Sequence, residues 1–201
     1  MTGGLLRDGD DTFPPNEIRF AVASPKPTTQ VFWMLRFCLA LILGAATAHA
    51  GTKVRIAAAA NLVHVIEELT AEFQNTNPGT TTEVTLGASG SLVAQITHGA
   101  PFDIFLSADM DYPQALIAND QADASTLIPF AIGRLVLWTT NPQLELTTPE
   151  AVLTDSSVHH IAIANPETAP YGRAAIETLD KLNLSSTLRS KLVIGENVSQ
   201  A

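Results

Sequence analysis

Cysteine is nearly absent from the chain. Cys38 is the only one, which excludes an internal disulfide framework and a cysteine-based metal cluster. Basic residues are also scarce, with 11 Lys and Arg against 20 Asp and Glu and a net charge of −9. Binding nucleic acid takes basic patches that neutralise phosphates, so no nucleic-acid partner is expected. The phosphate-loop pattern G-x-x-x-x-G-K-[ST] and the dinucleotide pattern G-x-G-x-x-G do not occur. Repeats of solenoid period and low-complexity tracts are missing as well. Of the five histidines, His64, His98, His159 and His160, the four beyond residue 50, lack the spacing of metal ligands, so no metal site is expected. The segment "GASGS" falls short of a nucleophile elbow, because Ser91 stands where G-x-S-x-G needs its last glycine.

What is present supports an ordered fold. Apolar residues make up 46% of the chain and charged residues 15%, enough apolar material for a packed core in one or two domains. The segment "MLRFCLALILGAATAHA", residues 34–50, has a basic start at Arg36, an apolar stretch and the small-x-small ending Ala48-His49-Ala50. That is the layout of a secretory signal peptide, with cleavage expected after Ala50. The stretch is short for a membrane-spanning helix, which needs about 20 apolar residues. Residues 1–33 show no readable pattern and are expected to be a mis-assigned or disordered extension ahead of a start at Met34. The mature chain, residues 51–201, is then expected to be exported and soluble, with 7 Lys and Arg against 16 Asp and Glu.

From residue 51 onward, strand and helix patterns alternate. "KVRIAAAA" (53–60), "TTEVTLGA" (81–88) and "FDIFLSA" (102–108) read as strands. Between them come an amphipathic helix capped by Asn61, with Leu62, Val65, Ile66, Leu69 and Phe73 on one face, and a Ser-capped helix over 89–99 stopped by Gly99. A further helix is expected over 110–119. "RLVLWTT" (134–140) opens a second set, with helices over 148–155, 172–182 and around 186–191, and strands over 159–165 and 192–197. Such alternation predicts parallel sheets covered by helices, with ligands bound where strands end and helices begin.

Four of these junctions are candidates: "AAAANL", "LGASGSL", "NPETAPYG" and "GENVSQA". Each offers small or hydroxyl side chains together with the orphan N–H groups of a helix start, which suit an anion. Asn61 can donate its amide, Ser89 and Ser91 their hydroxyls, and Tyr171 and Val198 their backbone N–H. Pro170 is suited to open a helix, since its missing N–H costs nothing there. Taken singly, a Ser or Asn at such a place is an ordinary helix cap. Asp103, Asp109 and Asp111 are expected to be structural.

In order, "AAAANL", "GASGSLVAQI", "GAPFDIFLSAD", "NPETAPYGRAA" and "GENV" resemble the periplasmic molybdate-binding proteins of ABC importers, over essentially all of 53–201. The resemblance implies a type II periplasmic-binding-protein fold of class α/β, with an oxyanion held between two lobes, lobe 1 at 51–132 and lobe 2 at 133–201. It implies ligand contacts from Asn61, Ser89, Tyr171 and Val198, with Ala60 as a possible addition. Many members have serine where this chain has Asn61. The ligand would be molybdate or tungstate, held without a cofactor, without catalysis and without a direct metal-cation ligand. The implied partner is the membrane permease of an ABC importer, and the implied receptor is a monomer located in the periplasm. The family also supplies a later tyrosine contact and a returning segment, so lobe 2 is expected to be C-terminally truncated. Two other readings stand beside this one: a receptor of the same fold for sulfate or another small anion, and an exported hydrolase using Ser89 with a histidine.

Overall fold

The computed structural model describes residues 17–23, 51–145 and 147–201. Lobe 1 is built around β2 (Thr52–Ala59), whose apolar end Ile56–Ala59 is buried. It pairs in parallel with β3 (Thr80–Gly87) on one side and β4 (Ile104–Ser107) on the other. Helices α1 (Ile66–Thr76), α2 (Ser89–Thr97) and α3 (Asp111–Ala118) connect these strands and follow β4. One face of the sheet packs Ala57 and Phe105 against Leu92, Ile96 and Leu116. The other packs Ile56 and Ala58 against Leu62 and Ile66. Burial on both faces explains why β2 and β4 read as continuous apolar runs rather than as alternating ones.

The α/β class and the parallel β3-β2-β4 core match expectation. Beyond β4 the sheet becomes mixed. β1 (Glu17–Ala23) inserts between β4 and β5 (Ile128–Arg134), antiparallel to both, giving the order β3-β2-β4-β1-β5. This corrects the expectation that 1–33 lie outside the fold, as far as residues 17–23 are concerned. Ala21 and Ala23 are fully buried, and Ala23 packs in the cluster of Phe105 and Leu116. The strand owes its order to two neighbouring strands distant in sequence, so its own flanks, "FPPN" and "SPKP", read only as loop. The remainder of 1–33 and the signal-like segment 34–50 lie outside the described residues. Cleavage after Ala50 would remove β1, the strand that links β5 to the rest of the sheet.

The pairing with β1 also moves a boundary. The expected strand 134–140 is instead β5 at 128–134, and the following residues carry no regular structure, with Val136 and Trp138 exposed. Lobe 2 follows with α4 (Pro149–Thr154), β6 (Ile161–Ala164), α5 (Pro170–Lys181), α6 (Ser185–Leu188) and β7 (Leu192–Gly195). β6 and β7 form a two-stranded parallel sheet, and Leu153, Leu179 and Leu188 fill the space against it. Among the described residues, no helix is long and apolar enough to cross a membrane.

Candidate functional site

The four junctions meet at one cleft between the lobes. Ala60 and Asn61 arrive from the end of β2, Ser89 from the start of α2, Tyr171 from the start of α5, and Val198 from the turn after β7. The five residues implied by the resemblance therefore line a single cavity of about 10 Å³, whereas Ser91, also named as a hydroxyl donor, does not. That is the space of about one water molecule, far below the ~300–1,000 Å³ of pockets for drug-sized ligands. A small solute can still occupy it if its outer atoms hydrogen-bond to the walls, because hydrogen-bonded atoms approach closer than van der Waals contact.

Each wall is set by local structure. Asn61 is not the helix cap expected of it. It lies in a single 3-10 turn, Ala60–Leu62, and α1 begins only at Ile66. With its side chain released from capping, Asn61 faces a different problem: its Oδ1 is buried with no hydrogen-bond partner among the described residues. A buried amide end without a partner costs about 1–3 kcal/mol. The two ends of the amide are nearly equal in shape, and a half-turn would present its NH2 instead.

Ser89 does not cap α2 through its side chain either. Its Oγ, almost fully buried, accepts a hydrogen bond from the Ala108 N–H at 3.0 Å. One of the oxygen's two lone pairs is thereby taken, and the hydroxyl hydrogen remains for donation. Ala108 sits at the end of β4 and was not among the residues singled out; a small residue after an apolar strand carries no signal for such a role.

On the lobe 2 side, "NPETAPYG" is a built turn. Asn165 Oδ1 accepts from the Glu167 N–H at 3.0 Å, and the Asn165 carbonyl accepts from the Thr168 and Ala169 N–H groups. Pro170 then opens α5. Intrahelical bonding starts at Arg173 N–H to the Ala169 carbonyl, so the N–H groups of Tyr171 and Gly172 need acceptors outside the helix. Gly172 is required here, since a Cβ would collide with the Ala164 carbonyl and the Asn165 backbone. The Tyr171 ring packs on Ala59 and Ala108 of lobe 1, and burial pushes its phenol up from its ordinary pKa, so it stays neutral. Val198 packs with Ala88, Ala164 and Ala169. Alanines on both sides of the seam let the two backbones come close.

Among the described residues, no Lys, Arg or His side chain lines the cleft. The nearest cation in sequence, Arg173, is turned to Asp109 and Asp111 of lobe 1, at 2.9 and 3.1 Å. Those two aspartates have the structural role expected of them. Asp109 Oδ1 accepts from the Tyr112 N–H and the Ser107 hydroxyl, both at 3.2 Å. Asp103, the third, accepts from the Arg55 N–H at 2.7 Å.

A cleft between two lobes, with donors at strand-to-helix junctions, has walls suited to a small anion, and several known proteins resemble the chain that builds it. The family described as bacterial extracellular solute-binding protein matches residues 54–201. The chain belongs to that family. The molybdate-binding protein ModA of Rhodobacter capsulatus is 41% identical over 163 residues, covering 81% of this chain and 64% of the relative. ModA of Azotobacter vinelandii is 36% identical over 171 residues, covering 85% of this chain and 67% of the relative. Among solved structures, the periplasmic molybdate-binding protein of Azotobacter vinelandii superposes with a TM-score of 0.69 at 35% identity, over 74% of this chain and 64% of that one. This family member thus spans about two thirds of the length of the relatives it matches.

Proposed function

We propose that this solute-binding protein is the extracytoplasmic receptor of a molybdate or tungstate ABC importer, holding one tetrahedral oxyanion between its lobes. The observation that carries the reading is the convergence of Asn61, Ser89, Tyr171 and Val198 on one small cleft whose walls, among the described residues, offer donors and no cation. Hydrogen bonds to a charged group contribute about 1.5–3 kcal/mol each, and each helix start adds about 0.3–1 kcal/mol. Several together reach the −8 kcal/mol of micromolar affinity after desolvation. The names of the relatives, molybdate-binding proteins in two bacteria, support the choice of anion.

Neutral donors also select the ligand's protonation state. A fully deprotonated dianion accepts at every oxygen, which suits the Ser89 hydroxyl, whose hydrogen remains for donation, and an Asn61 amide turned to present its NH2. Phosphate near neutral pH keeps a proton and would require an acceptor in the wall. Sulfate carries the right charge and is smaller, so discrimination against it would rest on donors spaced for the longer bonds of the larger oxyanion. Among the described residues no histidine lines the cleft, which favours binding over a hydrolytic role for Ser89. The receptor acts outside the cytoplasm, as a monomer handing its solute to a membrane permease.

Titration calorimetry of the chain with molybdate, tungstate, sulfate and phosphate tests this. Molybdate and tungstate should each bind at 1:1, with sulfate and phosphate at least 100-fold weaker. Sulfate binding of equal strength would replace the molybdate reading with that of a sulfate receptor. Phosphate binding would show that the Asn61 amide faces the ligand as an acceptor.

A further inference from the structure

Arg173 sits where an anion-binding arginine would be expected, two residues beyond Tyr171 in the first turn of α5, yet it does not line the cleft. A cation in the first turn of a helix opposes the helix dipole, so another interaction must hold it there. Its guanidinium bridges the seam instead. One nitrogen donates to Asp109 Oδ2 at 2.9 Å and the other to Asp111 Oδ2 at 3.1 Å, and the group rides over the Tyr112 ring at 5.5 Å. All three partners belong to lobe 1, directly after Ala108, which forms part of the cleft wall.

We infer that Arg173 is the closure latch of this receptor, a positioning residue that holds lobe 2 against lobe 1 over the solute without touching it. This rests on the oxyanion reading above. The Asp109 side chain is only 14% exposed, and its Oδ1 is already fixed by Tyr112 and Ser107. Its second oxygen is thus presented rigidly to whatever approaches from lobe 2. Burial pushes the Asp109 carboxyl up from its usual range, and the Tyr112 N–H and Arg173 work against that shift. Closing the lobes without Arg173 would bury this carboxylate without a counter-charge, which penalises the closed form.

Other contacts run along the same seam. The Gly90 N–H donates to the Thr168 carbonyl at 2.8 Å, and the Tyr112 hydroxyl donates to the Glu167 carbonyl at 3.4 Å. Gly90 is needed for that approach, since a Cβ there would stand 2.5 Å from the Tyr112 hydroxyl and 3.0 Å from the Thr168 carbonyl. On the far side of the cleft, the Ser199 hydroxyl donates to the Ala60 carbonyl at 2.9 Å. The lobes are thus tied on both sides of the cleft, and among these contacts the charged ones are those of Arg173.

Because two carboxylates face Arg173, the latch adds no net positive charge beside the anion. Its loss should weaken every anion by the same factor and leave the order of preference alone. The test is calorimetry with molybdate, tungstate and sulfate on the unsubstituted chain, Arg173→Gln, Asp109→Asn and the double variant. Molybdate and tungstate affinity should fall about tenfold in each single variant, and the double variant should be no weaker than either single one. Arg173→Lys, which keeps the charge but loses the two-pronged fork, should fall by about threefold. Ligand-free melting temperatures should stay close together, while the gain on adding molybdate shrinks in the latch variants. Unchanged affinity in Arg173→Gln would overturn the latch, as would losses that add in the double variant or a changed molybdate-to-sulfate ratio, both of which mean direct contact with the anion. If the unsubstituted chain binds none of the anions, the oxyanion reading has failed instead, and the latch falls with it.

Discussion

The two lobes face the same cleft with different chemistry. Lobe 1 brings side chains to it: the Asn61 amide with a buried end unpartnered among the described residues, and the Ser89 hydroxyl, which accepts from the Ala108 N–H. Lobe 2 brings backbone, through the first turn of α5 behind Pro170 and the turn that holds Val198. A side-chain donor can be removed by one substitution, whereas a backbone donor can only be displaced. Lobe 1 should therefore be sensitive to the chemistry of its residues, and lobe 2 to their shape.

The sharpest way to break that contrast is at Gly172. Gly172→Ala drives a methyl group into the Ala164 carbonyl and the Asn165 backbone, which must shift the start of α5. Overpacking of this kind costs about 1–3 kcal/mol of stability, or a fall of several degrees in Tm. Calorimetry should also show molybdate affinity reduced by about 100-fold or more, since the Tyr171 N–H moves with the helix. Normal binding in this variant would mean that the start of α5 is not part of the site.

Ser89→Ala comes next. It removes one donor to a charged ligand and should weaken molybdate by about 10- to 150-fold, or 1.5–3 kcal/mol. It also strips the Ala108 N–H of its acceptor, so ligand-free stability should fall by about 1 kcal/mol, visible in thermal melting.

Asn61→Ala separates binding from stability. Deleting the amide removes a buried polar group that has no partner among the described residues. Binding should drop by about tenfold while the ligand-free melting temperature holds or rises. A lower melting temperature together with unchanged affinity would assign Asn61 to structure alone. Asn61→Ser, which keeps a donor, should recover part of the binding.

The smallest effect is expected at Tyr171. Tyr171→Phe leaves the backbone N–H in place and preserves the ring against Ala59 and Ala108, so affinity should change by about threefold or less. A loss here as large as that of Ser89→Ala would move the lobe 2 contribution from backbone to side chain and erase the contrast.

Parts of this arrangement were legible in the residues. The alternation of apolar runs and amphipathic stretches carries the α/β class, since strand and helix periods differ and each leaves its own pattern. "NPETAPYG" carries its turn, because Asn, Pro and Gly each have one local job there. The gathering of candidate residues at strand ends followed from the rule for α/β sheets. Other parts were not legible. The apolar face of α1 predicted burial for Val65, Leu69 and Phe73, yet these are exposed while Leu62 and Ile66 are covered. Periodicity shows that a helix has an apolar face, not what lies against it. Asn61 and Ser89 were read as caps because capping is the local option for such residues. Their actual partners, or lack of them, depend on β4 and on the opposite lobe.

The sequence by itself determined which segments become strands and helices in the α/β core, where the strand-to-helix junctions fall, and that Pro170 and Gly172 frame the start of α5. These are short-range matters of backbone preference and apolar spacing. Only the tertiary structure decided that β1 would enter the sheet, that the Ala108 N–H would donate to the Ser89 hydroxyl, and that Arg173 would cross the seam to Asp109 and Asp111. Each of these joins residues between 19 and more than 100 positions apart. The free energy of such a contact comes from pairing and desolvation at the point of meeting, and no stretch of neighbouring residues contains it.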